Sequence, residues 1–286
     1  MNISVILPAC NESESLRVLL PEIRRVCPNS EILVVNDGST DNTVDVCNEY
    51  NVKVISHPYS MGNGAAIKTG ARHACGDVFV FMDADGQHVP EYINPMLDKI
   101  RDGYDMVVGA RTTDSHAGSH RLVANYAYNR LASYMSGHHI KDLTSGFRAV
   151  RAEIFRQYLY LLPNGFSYPT TITMALFRSG YSILYLPIKC PERKGSSHIK
   201  IIKDGFRFLL IIFRITSLYS PLKIFGPVSL GLFFSGLTYY GFTYMLYGRF
   251  TNMGMLLLIS SVLIFLIGLI SEQITFLIYS QNQKNN

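Results

Sequence analysis

Residues 79–88 read FVFMDADGQH. An apolar run stops at two carboxylates one residue apart, Asp83 and Asp85. Such a run, closed by a polar turn, is the pattern of a buried strand ending at a sheet edge. Hard divalent cations such as Mg²⁺ or Mn²⁺ take oxygen ligands, usually one or two carboxylates completed by substrate phosphates. A solvated turn capping the following helix would look the same over these two residues, so the rest of the chain has to decide.

Working outward, strand and helix patterns alternate. Ile3 to Leu7 is a short apolar run, and Ser13 to Val26 carries Leu16, Leu19, Leu20 and Ile23 on one helical face. Glu31 to Val35 is a second apolar run, closed by Asn36-Asp37-Gly38-Ser39. The pattern then predicts helix over 40–50, strand over 52–56, helix over 64–74, strand over 78–82, helix over 90–101 and strand over 106–108. Pro90 suits the first turn of its helix. Strands alternating with helices predict a mostly parallel α/β sheet covered on both faces, with ligands at the carboxyl ends of the strands. The polar residues fall at those ends: Pro8, Asn11 and Glu12, then Asp37, then Asp83 and Asp85, then Gly109-Ala110-Arg111. From 112 to 189 the pattern is less regular, with helices expected over 120–135 and 169–178, turn residues at Asp142–Arg148, and a last strand over 182–188.

The C-terminal third is different. Ile224 to Leu246 contains no charge over 23 residues. At ~1.5 Å per residue it reaches roughly 34 Å, enough to cross a bilayer's hydrocarbon core. Met253 to Ile270, continued to Tyr279, is a second such run after a linker of a few residues, so the two predict a transmembrane hairpin. Lys200, Lys203, Arg207, Arg214 and Lys223 precede it, Lys284 follows it, and Arg249 stands alone in the turn. That bias predicts a multi-pass protein of the cell (inner) membrane with the globular domain and both termini in the cytoplasm. Ile199 to Tyr219 spaces Lys200, Lys203, Arg207 and Arg214 on one face and apolar residues on the rest. It reads as an amphipathic helix in the interface, or one packed on the globular domain. The resulting layout is a globular domain over 1–198, an amphipathic helix over 199–220 and a hairpin over 221–280.

Through residue 192 there are 17 basic and 19 acidic residues; from 193 onward there are 9 and 2. The basic excess therefore sits in the most apolar part, which suits an anionic membrane surface. No basic stripe interleaved with aromatics occurs before it, which argues against a nucleic-acid partner. The five cysteines are scattered, with no C-x-x-C pair, as in a reducing compartment. MNISVILPAC lacks a basic leader region and reads as a first strand.

ILPACNE, VVNDGSTDNT, MGNGAAIKTG, FMDADGQH, VVGAR, DLTSGFRA and RKGSSH occur in that order. Together they resemble the family-2 glycosyltransferases of GT-A fold, a Rossmann-like sheet, and within them the dolichol-phosphate mannose synthase and bacterial polyprenyl-phosphate glycosyltransferase branch. The resemblance covers residues 1 to about 200. It implies an enzyme that moves a hexose-type sugar from a nucleotide sugar to a polyprenyl phosphate such as undecaprenyl or dolichyl phosphate, with inversion. It implies that Pro8, Ala9, Asn11, Glu12 and Asp37 hold base and ribose. Asp83, Asp85 and Gln87 would bind Mg²⁺ or Mn²⁺, with Ala84 beside the substrate. Arg111 would meet phosphate or form a salt bridge. Arg193, Lys194, Ser197 and His198 resemble the basic segment near the phosphates, although His198 stands where many relatives have Lys, and Lys194 could equally face lipid headgroups.

Asp142 is implied at the acceptor, with Ser145 and with Arg148 against the acceptor phosphate. A sugar hydroxyl would need a general base. A lipid monophosphate, with a second pKa of ~6, is already ionised, so Asp142 is expected to position groups more than to take a proton. Processive polysaccharide synthases rely on a Gln-x-x-Arg-Trp motif, and this chain has no Trp. Transfer to a protein or soluble glycan, and a non-catalytic membrane scaffold, remain as alternatives. The sugar, UDP against GDP, and whether the chain forms a homo-oligomer are left open.

Overall fold

The structure, a computed structural model, describes residues 1–111, 119–165, 167–190, 210, 213, 217, 220–249 and 251–284. It divides into two compact units, Met1–Leu209 and Leu210–Asn286.

In the first unit the alternating pattern becomes β1 (Ile3–Ala9), α1 (Ser13–Val26), β2 (Glu31–Asn36), α2 (Thr43–Glu49), β3 (Lys53–Ser56), α3 (Asn63–His73), β4 (Val78–Phe81), α4 (Ile93–Arg101), β5 (Met106–Arg111), α5 (Ser119–Ser136), β6 (Arg148–Arg151), α6 (Ala152–Gln157), α7 (Tyr168–Arg178) and β7 (Ile183–Ile188). Two starts differ from the sequence pattern. Helix α2 begins at Thr43, not residue 40, because Asp41 Oδ1 accepts the Thr43 amide at 3.1 Å and Thr40 is drawn to Asn11; Asx turns of this kind delay a helix. Pro90–Tyr92 forms a 3₁₀ turn ahead of α4.

The seven strands run in the order β3-β2-β1-β4-β6-β5-β7. All are parallel except β6, which is antiparallel to both β4 and β5. Strand β6 was not expected from the sequence. It is four residues long, with an arginine at each end, too short and too charged to show a strand period. Its direction has a consequence: β6 enters the sheet at the edge where its neighbours end. Arg148, its first residue, is paired with Phe81 and Val108, near the ends of β4 and β5, so the turn before it joins the row of strand ends.

Helices cover both faces. Leu16, Leu19, Leu20 and Ile23 of α1 and Ile93, Met96, Leu97 and Ile100 of α4 share one core with Val5, Leu7, Val34, Val80 and Val107. On the other face Gly70 of α3 rests on Ile6, where an added Cβ would come within 2.4 Å of a methyl group. The same face carries the Phe79, Phe81, Phe155 and Tyr168 ring cluster.

The second unit holds α8 (Leu222–Tyr247) and α9 (Asn252–Lys284). Helix α8 ends at Gly248, at φ +64, and the two helices pack with Gly236 against Leu257 and Leu258 and Gly268 against Phe225. Leu222–Tyr247 and Asn252–Thr275 are long and apolar enough to cross a membrane. Only 11% and 17% of their most apolar windows are buried, and Leu230, Phe234, Phe242, Leu256 and Ile270 are exposed. A soluble core helix would bury these side chains; a lipid-facing one leaves them outward. The expected amphipathic helix over 199–220 lies almost wholly outside the described residues.

Candidate active site

The predicted residues line the carboxyl edge of the sheet along adjacent strands. At the end of β1, Asn11 takes a left-handed φ of +58. Its side-chain oxygen accepts the Thr40 amide at 2.8 Å, and its own amide donates to Ser39 Oγ at 2.9 Å. Glu12, ahead of α1, donates its amide to Thr43 Oγ1 at 3.2 Å. Pro8 and Ala9 pair with Val35 and Asn36 of β2. These residues bind the first two strand ends to each other, and Asp37 N–H donates to Ala9 O at 2.8 Å.

Asp37 is nearly buried, and both of its oxygens are taken. Oδ1 faces His57 Nδ1 at 2.7 Å and accepts the Met61 amide at 2.8 Å; Oδ2 accepts Ser60 Oγ at 2.9 Å and the Gly62 amide at 2.8 Å. A carboxylate has about four acceptor positions. Burial raises the Asp37 pKa, but these donors outweigh it and hold the carboxyl below its ordinary value. As placed, Asp37 organises the loop 57–62 and has no acceptor left for a ribose or base. His57, Ser60 and Gly62 were not found by sequence reasoning, because nothing in their local pattern shows that they converge on one carboxylate.

Past β4 the picture reverses. The Asp83 side chain is 36% exposed, and its nearest ionisable nitrogen among the described residues is His88 Nε2 at 3.9 Å. No hydrogen bond to its carboxylate occurs among the described residues. Desolvation raises its pKa, the Asp85 charge adds to the rise, and His88 and Arg111 oppose it. Ala84 is buried, Gly86 turns the chain at φ +74, and the Gln87 amide donates to Asp85 Oδ1 at 3.1 Å. His88 folds back beneath: its Nδ1 accepts the Asp83 amide at 3.0 Å and its ring stacks on Phe147 at 5.0 Å. Burial lowers the His88 pKa, against the pull of Asp83 and Asp85. The type of His88 was visible inside FMDADGQH, but its backward turn was not.

These residues fit a divalent cation in one specific way. No group of three or more His, Cys, Asp or Glu side chains with metal-holding geometry occurs among the described residues. Two neighbouring carboxylates, both half-buried and one of them, Asp83, short of donors among the described residues, suit an ion whose remaining ligands are substrate oxygens and water.

On the far side of β4, Arg111 closes a two-armed bridge onto Asp142: Nε to Oδ2 at 2.9 Å and Nη2 to Oδ1 at 3.0 Å. Asp142 also accepts the amides of Arg111, Thr144 and Ser145 at 3.1–3.2 Å. Burial raises the Asp142 pKa, and Arg111 and the amides bring it below the ordinary carboxylate value. A carboxylate with every acceptor engaged and a depressed pKa is a poor base. Of the two roles open to Arg111, the structure shows the salt bridge. Ser145 Oγ is buried and has no hydrogen-bond partner among the described residues.

Arg148 departs from its expected place at the acceptor phosphate. It is fully buried. Nη1 donates to Pro169 O and Thr173 Oγ1, each at 3.1 Å, and Nη2 donates to Ser145 O. The reason is its register: pairing with both Phe81 and Val108 puts it between two strands, with its side chain on the helix α7 face. Arg193, Lys194, Ser197 and His198 lie outside the described residues.

The profile of "Glycosyl transferase family 2" matches residues 4–159, and that of the "GtrB C-terminal hairpin" matches residues 220–277. The chain is similar to polyprenol monophosphomannose synthase of Mycolicibacterium smegmatis, 31% identical over 66% of this chain and 77% of that protein. It is also similar to dolichyl-phosphate hexose transferase of Haloferax volcanii (31%, covering 71% and 89%) and undecaprenyl-phosphate mannosyltransferase of Micrococcus luteus (31%, covering 68% and 85%). Among solved structures, glucosyl-3-phosphoglycerate synthase from Mycobacterium tuberculosis in complex with Mn²⁺ and UDP-glucose aligns with a TM-score of 0.63 at 19% identity, covering 75% of this chain and 79% of that one. At that identity the likeness shows the GT-A fold alone.

Proposed function

The chain belongs to glycosyl transferase family 2, and from that premise we propose that it moves a hexose-type sugar from a UDP- or GDP-sugar to a polyprenyl phosphate, as a membrane enzyme. The observation that carries this reading is the pairing of the transferase domain with a GtrB-type hairpin in one chain. The relatives cited above, each named for a polyprenyl-type phosphate or its mannose derivative, support it. The layout that goes with it is a transferase domain over 1–198, an amphipathic helix over 199–220 and a hairpin over 221–280. Domain and termini would lie on the cytoplasmic side, against an anionic leaflet.

In this reading Asn11 and Glu12 shape the nucleotide side of the crevice, and Asp37 holds the loop that borders it. Asp83 and Asp85, with Gln87 as a further oxygen ligand, would hold Mg²⁺ or Mn²⁺; the ion, when bound, neutralises charge on the diphosphate leaving group. Asp142, pinned by Arg111, orders the 142–146 turn that carries Ser145 on the acceptor side. The attacking phosphate is already ionised near neutral pH, so no residue has to remove its proton. Arg193, Lys194, Ser197 and His198 would gather near the phosphates. Direct displacement at the anomeric carbon then inverts its configuration.

The test is to incubate the purified full chain with labelled UDP- and GDP-sugars and either undecaprenyl phosphate, unphosphorylated undecaprenol, or soluble glycans and peptides. One donor is expected to label undecaprenyl phosphate alone. Label in the glycan or peptide, with none in the lipid, would replace this reading with transfer to a soluble acceptor. No label anywhere would favour a scaffold.

A further inference from the structure

Arg148 poses a question that the transfer reaction does not answer. Its guanidinium is fully buried, yet its hydrogen-bond partners among the described residues are neutral: Pro169 O, Thr173 Oγ1, Ser145 O and, at 4.0 Å, Met106 Sδ. A buried cation without a paired carboxylate costs stability relative to an apolar side chain of similar volume. What it holds is therefore informative.

One of these contacts holds the turn that ends at β6. Nη2 of Arg148 takes Ser145 O, and Tyr168 Oη donates to the next carbonyl, Gly146 O, at 3.1 Å. The guanidinium lies 5.7 Å from the Tyr168 ring centre, so the two clamps support each other. From the other side, Asp142 Oδ1 accepts the Ser145 amide at 3.1 Å. The 145–146 segment is thus fixed through both of its carbonyls and through its leading amide. Its bare Cα face meets the Asp83 carboxylate: a Cβ on Gly146 would come within 2.6 Å of Asp83 Oδ2 and 3.1 Å of Oδ1. Asp83 is gripped from behind as well, through its amide on His88 Nδ1 and through His88 stacked on Phe147, the residue after Gly146.

We propose that Arg148 and Tyr168 are positioning residues for the cation-binding carboxylate: by clamping the carbonyls of Ser145 and Gly146 they set the glycine face on which Asp83 rests. Neither side chain touches the ion or the substrate. The inference rests on the reading of Asp83 and Asp85 as cation ligands. Groups that orient a metal's ligands commonly change metal affinity by about 10- to 100-fold when removed.

Arg148→Met leaves buried acceptors unpaired and is prone to misfold, so the decisive variant is Tyr168→Phe, which removes one hydroxyl and keeps the ring. Mn²⁺ is titrated by electron paramagnetic resonance into the full chain in detergent, with saturating UDP and separately GDP. Leu20→Ala, a cavity beneath α1 on the opposite sheet face, controls for general loss of stability. Tyr168→Phe is expected to bind Mn²⁺ about tenfold more weakly, whereas Leu20→Ala binds it as wild type does despite a lower Tm. Gly146→Ala, acting directly on Asp83, is expected to weaken Mn²⁺ at least as much. Wild-type affinity in Tyr168→Phe overturns the positioning role and leaves the metal reading intact, as does an equal weakening in Leu20→Ala. If wild type retains no Mn²⁺, or Asp83→Asn with Asp85→Asn retains it unchanged, the metal reading itself fails and this inference with it.

Discussion

Asp37 and Asp83 stand on the same edge of the sheet, each past the end of a parallel strand, with only β1 between their strands. From sequence they look equivalent. In the fold, Asp37 receives four donors from its own chain within 2.9 Å, and among the described residues Asp83 has its nearest ionisable nitrogen at 3.9 Å. The consequence is opposite in sign: the Asp37 carboxyl is held below its ordinary pKa and the Asp83 carboxyl above it. Position at a strand end makes a carboxylate available to a ligand only where the chain has not already spent its acceptors. Asp142, with Arg111 and three amides on it, belongs with Asp37.

The largest effect expected from this contrast is on turnover. Asp83→Asn with Asp85→Asn should lower sugar transfer by about 10³-fold or more, because charge on the leaving diphosphate loses its counter-ion, while circular dichroism and Tm show a folded chain. Turnover within tenfold of wild type would break the contrast.

On stability the order reverses. Asp37→Asn sets an NH₂ group against donors and leaves at least one of them unsatisfied, so it should cost about 2–4 kcal/mol in chemical denaturation. A loss below ~0.5 kcal/mol would show that the four contacts do not hold the 57–62 loop.

The pH dependence follows from the same two directions. A carboxyl whose folded pKa lies below its unfolded value, near ~3.9, contributes stability that is fully present above that pH and is lost as the pH falls through the folded value. Asp37 and Asp142 are such groups, so Tm should be nearly flat from about pH 7 to 5 and fall below about pH 4. The fall should be shallower in Asp37→Asn. Asp83 runs the other way: ionisation costs the folded state, and the cost is relieved as the pH falls through its raised folded pKa. Asp83→Asn, measured without metal, is accordingly the smallest effect, between no change and a slight gain in stability once solvent screening is counted. A destabilisation as large as that of Asp37→Asn would erase the distinction.

Much of the architecture was legible because it is written in local periods. The apolar runs at 3–7, 31–35 and 78–82 and the face of Leu16, Leu19, Leu20 and Ile23 returned as β1, β2, β4 and α1. The two uncharged runs returned as α8 and α9. Strand β6 was invisible, and with it the fate of Arg148: a strand of four residues carries no period, and only its antiparallel register shows that its first side chain is enclosed. At the site, residue types were legible and partners were not. Asp37 gathers donors from 20 to 25 residues away, Arg111 reaches 31 residues to Asp142, and Tyr168 reaches 22 back to Gly146. Such pairings are set by topology, and no spacing in the chain announces them.

The central claim is that Asp83 and Asp85, the carboxylate pair past the end of β4, act through a divalent cation during transfer to a lipid phosphate. The most direct measurement strips the purified full chain with EDTA and follows label from the active nucleotide sugar into undecaprenyl phosphate as Mn²⁺ or Mg²⁺ is returned. Label should vanish with EDTA, return with the ion in wild type, and stay absent in Asp83→Asn/Asp85→Asn at every ion concentration. Transfer that persists in EDTA, or that the ion restores equally in the double variant, would contradict the account.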